Sequence, residues 1–211
     1  MLIIFLLFAL PGVALALAGE RRGRRTIVLL GKGVASTGFV VLASSLAAGV
    51  PSPYAGWILA ALGLSFAGDL ILVSRKGFLA GLFAFLLAHL AYVGAFASRL
   101  SLQDWPIAIG VAILLLSLGI LALLWRRLGS MKAVVSVYVV AITLMLWGGF
   151  SAWWASSIPG TSNVALAAVL FYVSDLFVAR QVFVRRSFLN PALGLPLYYV
   201  AQYLFASTIG R

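Results

Sequence analysis

Two of the chain's four acidic residues, Asp69 and Asp175, stand inside long apolar runs. A carboxylate in a bilayer costs roughly 2.5–3.5 kcal/mol even on the lenient insertion scale, so each asks for a partner or a task. Asp69 lies six residues before Arg75, and Asp175 five before Arg180. At ~1.5 Å of helical rise per residue, both sit about 8–9 Å inside the same end of their helices. Two carboxyl groups at one depth can divide acid–base work: one in a dry wall keeps its proton, while one beside water or a cation stays ionised. Lys32, seven residues beyond Arg25, places its backbone about 10 Å from that same face. It either pairs with one of the aspartates or reaches the headgroups along its own stem.

His89, the chain's one histidine, shares a helical stripe with Phe85 and Tyr92, which suits either an acid–base group or a hydrogen-bonding strut between helices. Tyr198, Tyr199 and Gln202 give the last helix a polar stripe, with Tyr198 and Gln202 one turn apart. Two aspartates and one histidine at unlike depths have no recognised ligand spacing, so no metal is expected. The absence of cysteine removes thiolate chemistry and disulfides. A Gly-x-Ser-x-Gly elbow, a phosphate-binding loop and a paired His-Glu motif are all missing from the sequence, and with them the common signatures of hydrolases and nucleotide enzymes.

What must hold these groups is a membrane bundle. The 211 residues are 64% hydrophobic and 9% charged, whereas a soluble domain carries about 25% charged residues. Apolar stretches at 2–18, 26–49, 57–74, 78–97, 106–125, 133–153, 164–179 and 191–209 predict an all-α polytopic protein. The expected architecture is a bundle of eight transmembrane helices, with residues 1–211 forming a single integral-membrane domain. The net charge of +11 would suggest nucleic acid in a soluble protein, but its placement assigns it to topology. Arg21, Arg22, Arg24 and Arg25 fall in the first connection, Arg75 and Lys76 in the third, Arg126, Arg127 and Lys132 in the fifth, and Arg180, Arg185 and Arg186 in the seventh. Connections two (51–56), four and six (156–163) carry almost no net charge. The odd connections are therefore expected in the cytoplasm and both termini on the other side.

The run Ala14–Gly19 has the small-residue alternation of a leader-peptide cleavage site, but no basic residue precedes the apolar core, so a retained first helix is expected. Trp57, Trp105, Trp153 and Trp154 fall at expected outer ends and Trp125 at an inner end, where indole rings favour the interface. Asp69 precedes Tyr92 by 23 positions, and Asp175 precedes Tyr198 by the same 23. With shared orientation this spacing reads as a parallel repeat of four helices plus four.

Gly68-Asp69-Leu70, a basic turn and the run from Phe78 to Tyr92 through His89 together resemble the central signature of the YhhN-like lysoplasmalogenase family. Phe171-Tyr172-Val173-Ser174-Asp175 resembles its Ser-Asp motif, and Tyr198-Tyr199-Val200-Ala201-Gln202 its closing stripe. One departure is Gly33, which follows Lys32 where the family pattern has proline. The resemblance implies eight spans and a hydrolase that splits the vinyl ether of a lysoplasmalogen into a fatty aldehyde and a glycerophospho-alcohol.

That chemistry begins with protonation of the vinyl β-carbon and ends with water capturing the resulting cation. The resemblance thus implies Asp69, Asp175 and His89 as catalytic. The preferred reading has Asp175 as acid and Asp69 as its ionised partner, although the sequence alone does not decide between them. Lys32, Tyr92, Tyr198, Tyr199 and Gln202 are implied to bind substrate, with Lys32 and the inner arginines receiving phosphate and His89 or Tyr92 orienting a carboxyl group. No cofactor is expected. The expected partners are a lysophospholipid substrate and membrane lipids, without nucleic acid. The expected location is multi-pass in the cell membrane, the inner membrane in a bacterium. A small transporter or lipid-binding protein is the alternative that intramembrane charge and an internal repeat allow.

Overall fold

The structure, a computed structural model, describes residues 2–155 and 161–210. These fold into α1 (Leu2–Arg22, with a π-helical stretch at Phe5–Ala9), α2 (Arg25–Ala47), α3 (Pro53–Leu72) and α4 (Phe78–Ala97). Then follow α5 (Ile107–Leu124), α6 (Lys132–Trp154), α7 (Thr161–Ala179) and α8 (Leu189–Ser207). No strand occurs among the described residues. Seven helices, α1 to α7, are long and apolar enough to cross a membrane. α8, with Asn190, Gln202 and three tyrosines, is less apolar.

Several boundaries differ from the hydropathy reading for local reasons. α3 begins at Pro53 rather than at 57, because Ser52 caps it by accepting from the Ala55 amide at 3.2 Å and Pro53 fits the first turn. α7 was expected to end at 179, yet a π-helical turn at Arg180–Val184 prolongs it, so Arg180 belongs to the helix rather than to the connection. Lys132 likewise opens α6, with its ammonium 5.0 Å from the centre of the Trp125 ring. Of the expected connection 156–163, residues 156–160 lie outside the described residues.

α2, α3, α4, α6, α7 and α8 close into a ring, each packed against the next and α8 back against α2. α1 lies outside this ring, chiefly on α2, and α5 lies outside it on α6. Renaming α1–α4 as α5–α8 reproduces the list of principal neighbours, with the outlying helix first and the tightest pair last. Chemistry follows the same register. Asp69, Tyr92 and Lys32 each have a counterpart 106 positions later, at Asp175, Tyr198 and Tyr138.

The α1–α2 crossing depends on small residues: a side-chain carbon at Gly12 would fall 2.6 Å from the Ala35 amide, and one at Gly31 would fall 2.3 Å from that of Ala16. In lipid, where apolar surface alone does not drive helices together, such close backbone approach supplies the packing. Among the tryptophans, Trp57, Trp125, Trp153 and Trp154 are exposed, as an interfacial belt requires. Trp105 departs from that expectation: it is buried, donates to the Leu100 carbonyl at 3.2 Å and meets Trp147 edge-on.

Candidate active site

Asp69 is buried one turn before the end of α3, where its carboxylate accepts from four side chains. Lys32 reaches Oδ1 at 3.3 Å. Oδ2 receives Ser36 at 2.7 Å, Tyr198 at 2.8 Å and Tyr199 at 3.3 Å. Lys32 and Ser36 are one turn apart on α2 and so present one face, while Tyr198 and Tyr199 come from α8. A carboxylate with one cationic and three hydroxyl donors is satisfied as an anion and has little acceptor capacity left. Gly68 is part of this corner: a side-chain carbon there would stand 2.7 Å from the Phe85 ring, so glycine lets that ring close against α3.

Asp175, on α7, has unlike surroundings. Tyr138 of α6 donates to Oδ2 at 2.6 Å, and the His89 Nε2 of α4 lies 3.6 Å from the same oxygen. Oδ1 has no protein partner among the described residues, and the side chain is 15% exposed, toward a cavity that it lines. The histidine tautomer follows from its other contact. Nδ1 lies 2.6 Å from the Phe85 carbonyl, and because a carbonyl only accepts, Nδ1 carries the hydrogen. In the neutral ring Nε2 is then the bare nitrogen; it faces Asp175 and has no hydrogen-bond partner among the described residues. Stacking on Phe171 at 4.6 Å and an edge contact with Tyr138 at 5.2 Å hold the ring in place.

Lys32 and Asp69 line one side of a cavity of about 220 Å³, and Tyr138, Ser174 and Asp175 line another. The Phe85 and Tyr198 rings contribute to its wall, with centroids 5.7 Å apart. Glu20, Gln181 and Asn190 also line it, and Glu20 is exposed. These residues come from the ends of α1, α7 and α8 that meet the arginine-rich connections, so the cavity lies at the basic end of the bundle. Asn190 is buried there, accepting from Arg180 at 2.6 Å and donating to the Arg185 carbonyl at 2.8 Å.

The residues expected at the site thus separate into two groups. Asp69, Asp175, Lys32, Tyr198, Tyr199 and His89 line the cavity or touch an aspartate that does. Tyr92 and Gln202 hydrogen-bond to each other and do not line it. Ser174 lines the cavity as part of the Ser-Asp motif, whereas Ser36, Tyr138, Gln181, Asn190 and Glu20 are site residues that the sequence did not single out. Two of these carried a usable signal: Ser36 follows Lys32 by one helical turn, and Tyr138 is a tyrosine in an apolar helix, whose hydroxyl needs a partner there.

No solved structure matches this chain. The membrane protein YhhN of Escherichia coli O157:H7 is 25% identical over 154 residues, which cover 72% of this chain and 73% of that protein. The lysoplasmalogenase of Mycobacterium tuberculosis is 33% identical over 151 residues, covering 68% of this chain and 55% of the relative, little more than half its length. Lysoplasmalogenase TMEM86A of Bos taurus is 32% identical over 179 residues, covering 79% and 70%. The YhhN family model spans residues 32–209, from the lysine that meets Asp69 to the end of the helix that supplies Tyr198 and Tyr199. This multi-pass membrane chain belongs to the YhhN family.

Proposed function

We propose that this protein is an integral-membrane lysoplasmalogenase, hydrolysing the vinyl ether of a lysophospholipid by aspartate acid–base catalysis. The observation that carries the reading is one cavity bordered by two aspartates of opposite character. Asp69 accepts from Lys32 and three hydroxyls, while Asp175 keeps an oxygen at the cavity wall that has no partner among the described residues.

In its acid form, Asp175 delivers a proton to the β-carbon of the vinyl ether, the carbon on the chain side of the double bond. The C=C electron pair forms the new C–H bond, and positive charge spreads onto the α-carbon and ether oxygen. Tyr138 stabilises the carboxylate left on Asp175, and the fixed anion of Asp69 stabilises the oxocarbenium ion. Water adds to the α-carbon, and the one proton it releases passes by way of His89 Nε2 to the Asp175 carboxylate, restoring the acid. The hemiacetal then collapses to aldehyde and glycerophospho-alcohol. Lys32 and the arginines at the basic end attract the phosphate.

All eight helices cross the bilayer in this reading, because the Tyr198 and Tyr203 hydroxyls and the Gln202 oxygen, which make α8 less apolar, are turned onto protein partners: Asp69, the Ala35 carbonyl and Tyr92. The arginine-rich end faces the cytoplasm, both termini face the opposite side and residues 1–211 act as one membrane-embedded domain in the cell membrane. Substrate enters from the cytoplasmic leaflet.

Purified protein incubated with lysoplasmenylethanolamine is expected to release fatty aldehyde by mass spectrometry. The saturated alkyl-ether analogue should remain intact, because it has no double bond to protonate. Cleavage of both lipids, or of neither, would refute the mechanism. Tyr138→Phe is expected to lower kcat by roughly 10–100-fold with little change in KM, since a hydrogen bond to a charged group is worth about 1.5–3 kcal/mol. Steady-state kinetics on the alkenyl lipid measures this split.

A further inference from the structure

A second hollow, of about 80 Å³, adjoins the first and also meets Asp175. It occupies the cleft left where α5 leans on α6 rather than joining the ring, and it shares a wall with the first cavity: Phe78 and Leu82 of α4, Tyr138 of α6, and Asp175, Val178 and Val182 of α7 and its extension. Its outer wall comprises Ile120 and Leu124 from α5, Val139 and Ile142 from α6, and Leu176 and Phe183 from the α7 helix and its extension. Asp175 apart, the hollow offers nothing to a polar ligand: the Tyr138 hydroxyl is spent on Asp175, and the Tyr172 hydroxyl is paired with Ser117 at 3.0 Å. Both hollows have largely apolar walls, and they differ in the polar groups they add. One has Lys32, Asp69, Gln181 and Asn190 on its wall; the other is hydrocarbon with a carboxyl group at its inner end.

We propose that the slot between α4, α5, α6 and α7 holds the hydrocarbon chain of the lysolipid, with the headgroup in the adjoining cavity and Asp175 where the two meet. The assignment rests on the hydrolase reading above and gives it a direction. The carbon to be protonated lies on the chain side of the double bond, so a substrate threaded this way brings that carbon to Asp175 as the chain enters the slot. The lining matches an amphiphile of this polarity and no other part of such a lipid, since burying phosphate or glycerol hydroxyls there would leave them unpaired. Chain length is then read by α5 and the α7 extension, not by the polar cavity.

The test uses the full chain in nanodiscs and a non-cleavable probe, a 1-O-alkyl lysophosphatidylcholine with a diazirine at the chain terminus. Photolysis is expected to label the α5 and α6 walls around Ile120, Leu124 and Ile142, and excess unlabelled lysolipid should suppress the label. Labelling spread over the outer faces of α1 and α8, or insensitive to competitor, would overturn the proposal, because it would report lipid surrounding the protein. The probe is never hydrolysed, so this result stands apart from the aldehyde assay and from the fate of the hydrolase reading.

In turnover, Ile120→Trp is expected to lower kcat/KM for long alkenyl chains about tenfold relative to short ones, the scale on which an apolar pocket discriminates methylenes. Phe183→Ala, a truncation free of any new clash, should shift the preference toward longer chains. Wild-type turnover combined with unchanged chain-length profiles in both variants would refute the slot while leaving the hydrolase intact.

Discussion

Asp175→Asn is expected to reduce aldehyde release by about 10²–10⁴-fold, the usual contribution of a positioned general acid. The fold should survive the change. Asparagine matches aspartate in shape, and its carbonyl oxygen can still accept from Tyr138, whose 2.6 Å bond is the main polar restraint on the side chain. What the amide lacks is a transferable proton at the cavity wall. Thermal unfolding in detergent should therefore change by no more than about 1 kcal/mol, within the range of ordinary substitutions. Full turnover in the variant would remove Asp175 from the acid role. Lost turnover with an equal collapse of stability would make it a structural residue.

Lys32→Met should do the reverse and strike stability first. The lysine is the cation beside a buried carboxylate, at 3.3 Å and with 11% of its side chain exposed. Removing one member of a buried ion pair while leaving the other charged costs about 3–5 kcal/mol. Adding Asp69→Asn removes the stranded charge, so the double variant should regain most of that loss, and a double-mutant cycle on unfolding free energy measures the coupling. Neither the single nor the double variant should hydrolyse the vinyl ether at the wild-type rate, because the single disturbs the fixed anion and the double abolishes it. Additive effects in the cycle would mean that Lys32 serves the bilayer surface and not Asp69.

The internal repeat shows how one scaffold arrives at two unlike carboxyl groups. Lys32 and Asp69 are 37 positions apart, as are Tyr138 and Asp175, and each pair joins corresponding helices of the two halves. In the first half the α2 position bears lysine, which pairs with the carboxyl group at 3.3 Å. In the second the equivalent position bears a neutral hydroxyl, which supports a carboxyl group in either state. The Asp–Tyr spacing of 23 was visible in the chain, but the 37-residue register was not: lysine and tyrosine do not look alike, and only shared geometry makes them counterparts.

Depth was legible because helical rise is the same everywhere: counting from Arg75, Arg180 and Arg25 placed Asp69, Asp175 and Lys32 toward one end of the bundle, where a single cavity now collects them. The α7 extension shows where such counting fails. Arg180 is on the helix, so Asp175 lies further from its helix end than Asp69 does from its own, and the two still meet the same hollow. Trp105 shows a second failure, since position near a helix end does not say whether a ring turns outward to the interface or inward onto Trp147.

Composition and hydropathy by themselves determined a membrane bundle, its arginine-rich end and the level at which its carboxyl groups stand. Tertiary structure alone decided that Lys32 belongs to Asp69, that Tyr138 and His89 belong to Asp175, and that the Tyr92 hydroxyl donates to Gln202. The physical reason is the solvent. In water, the apolar stripe of a helix reveals which side faces the core, but in lipid both the core side and the outer side are apolar. Rotation about each helix axis is then set by close packing at small residues such as Gly12, Gly31 and Gly68 and by the pairing of a few polar groups, and both become visible only when the neighbouring helix is in place.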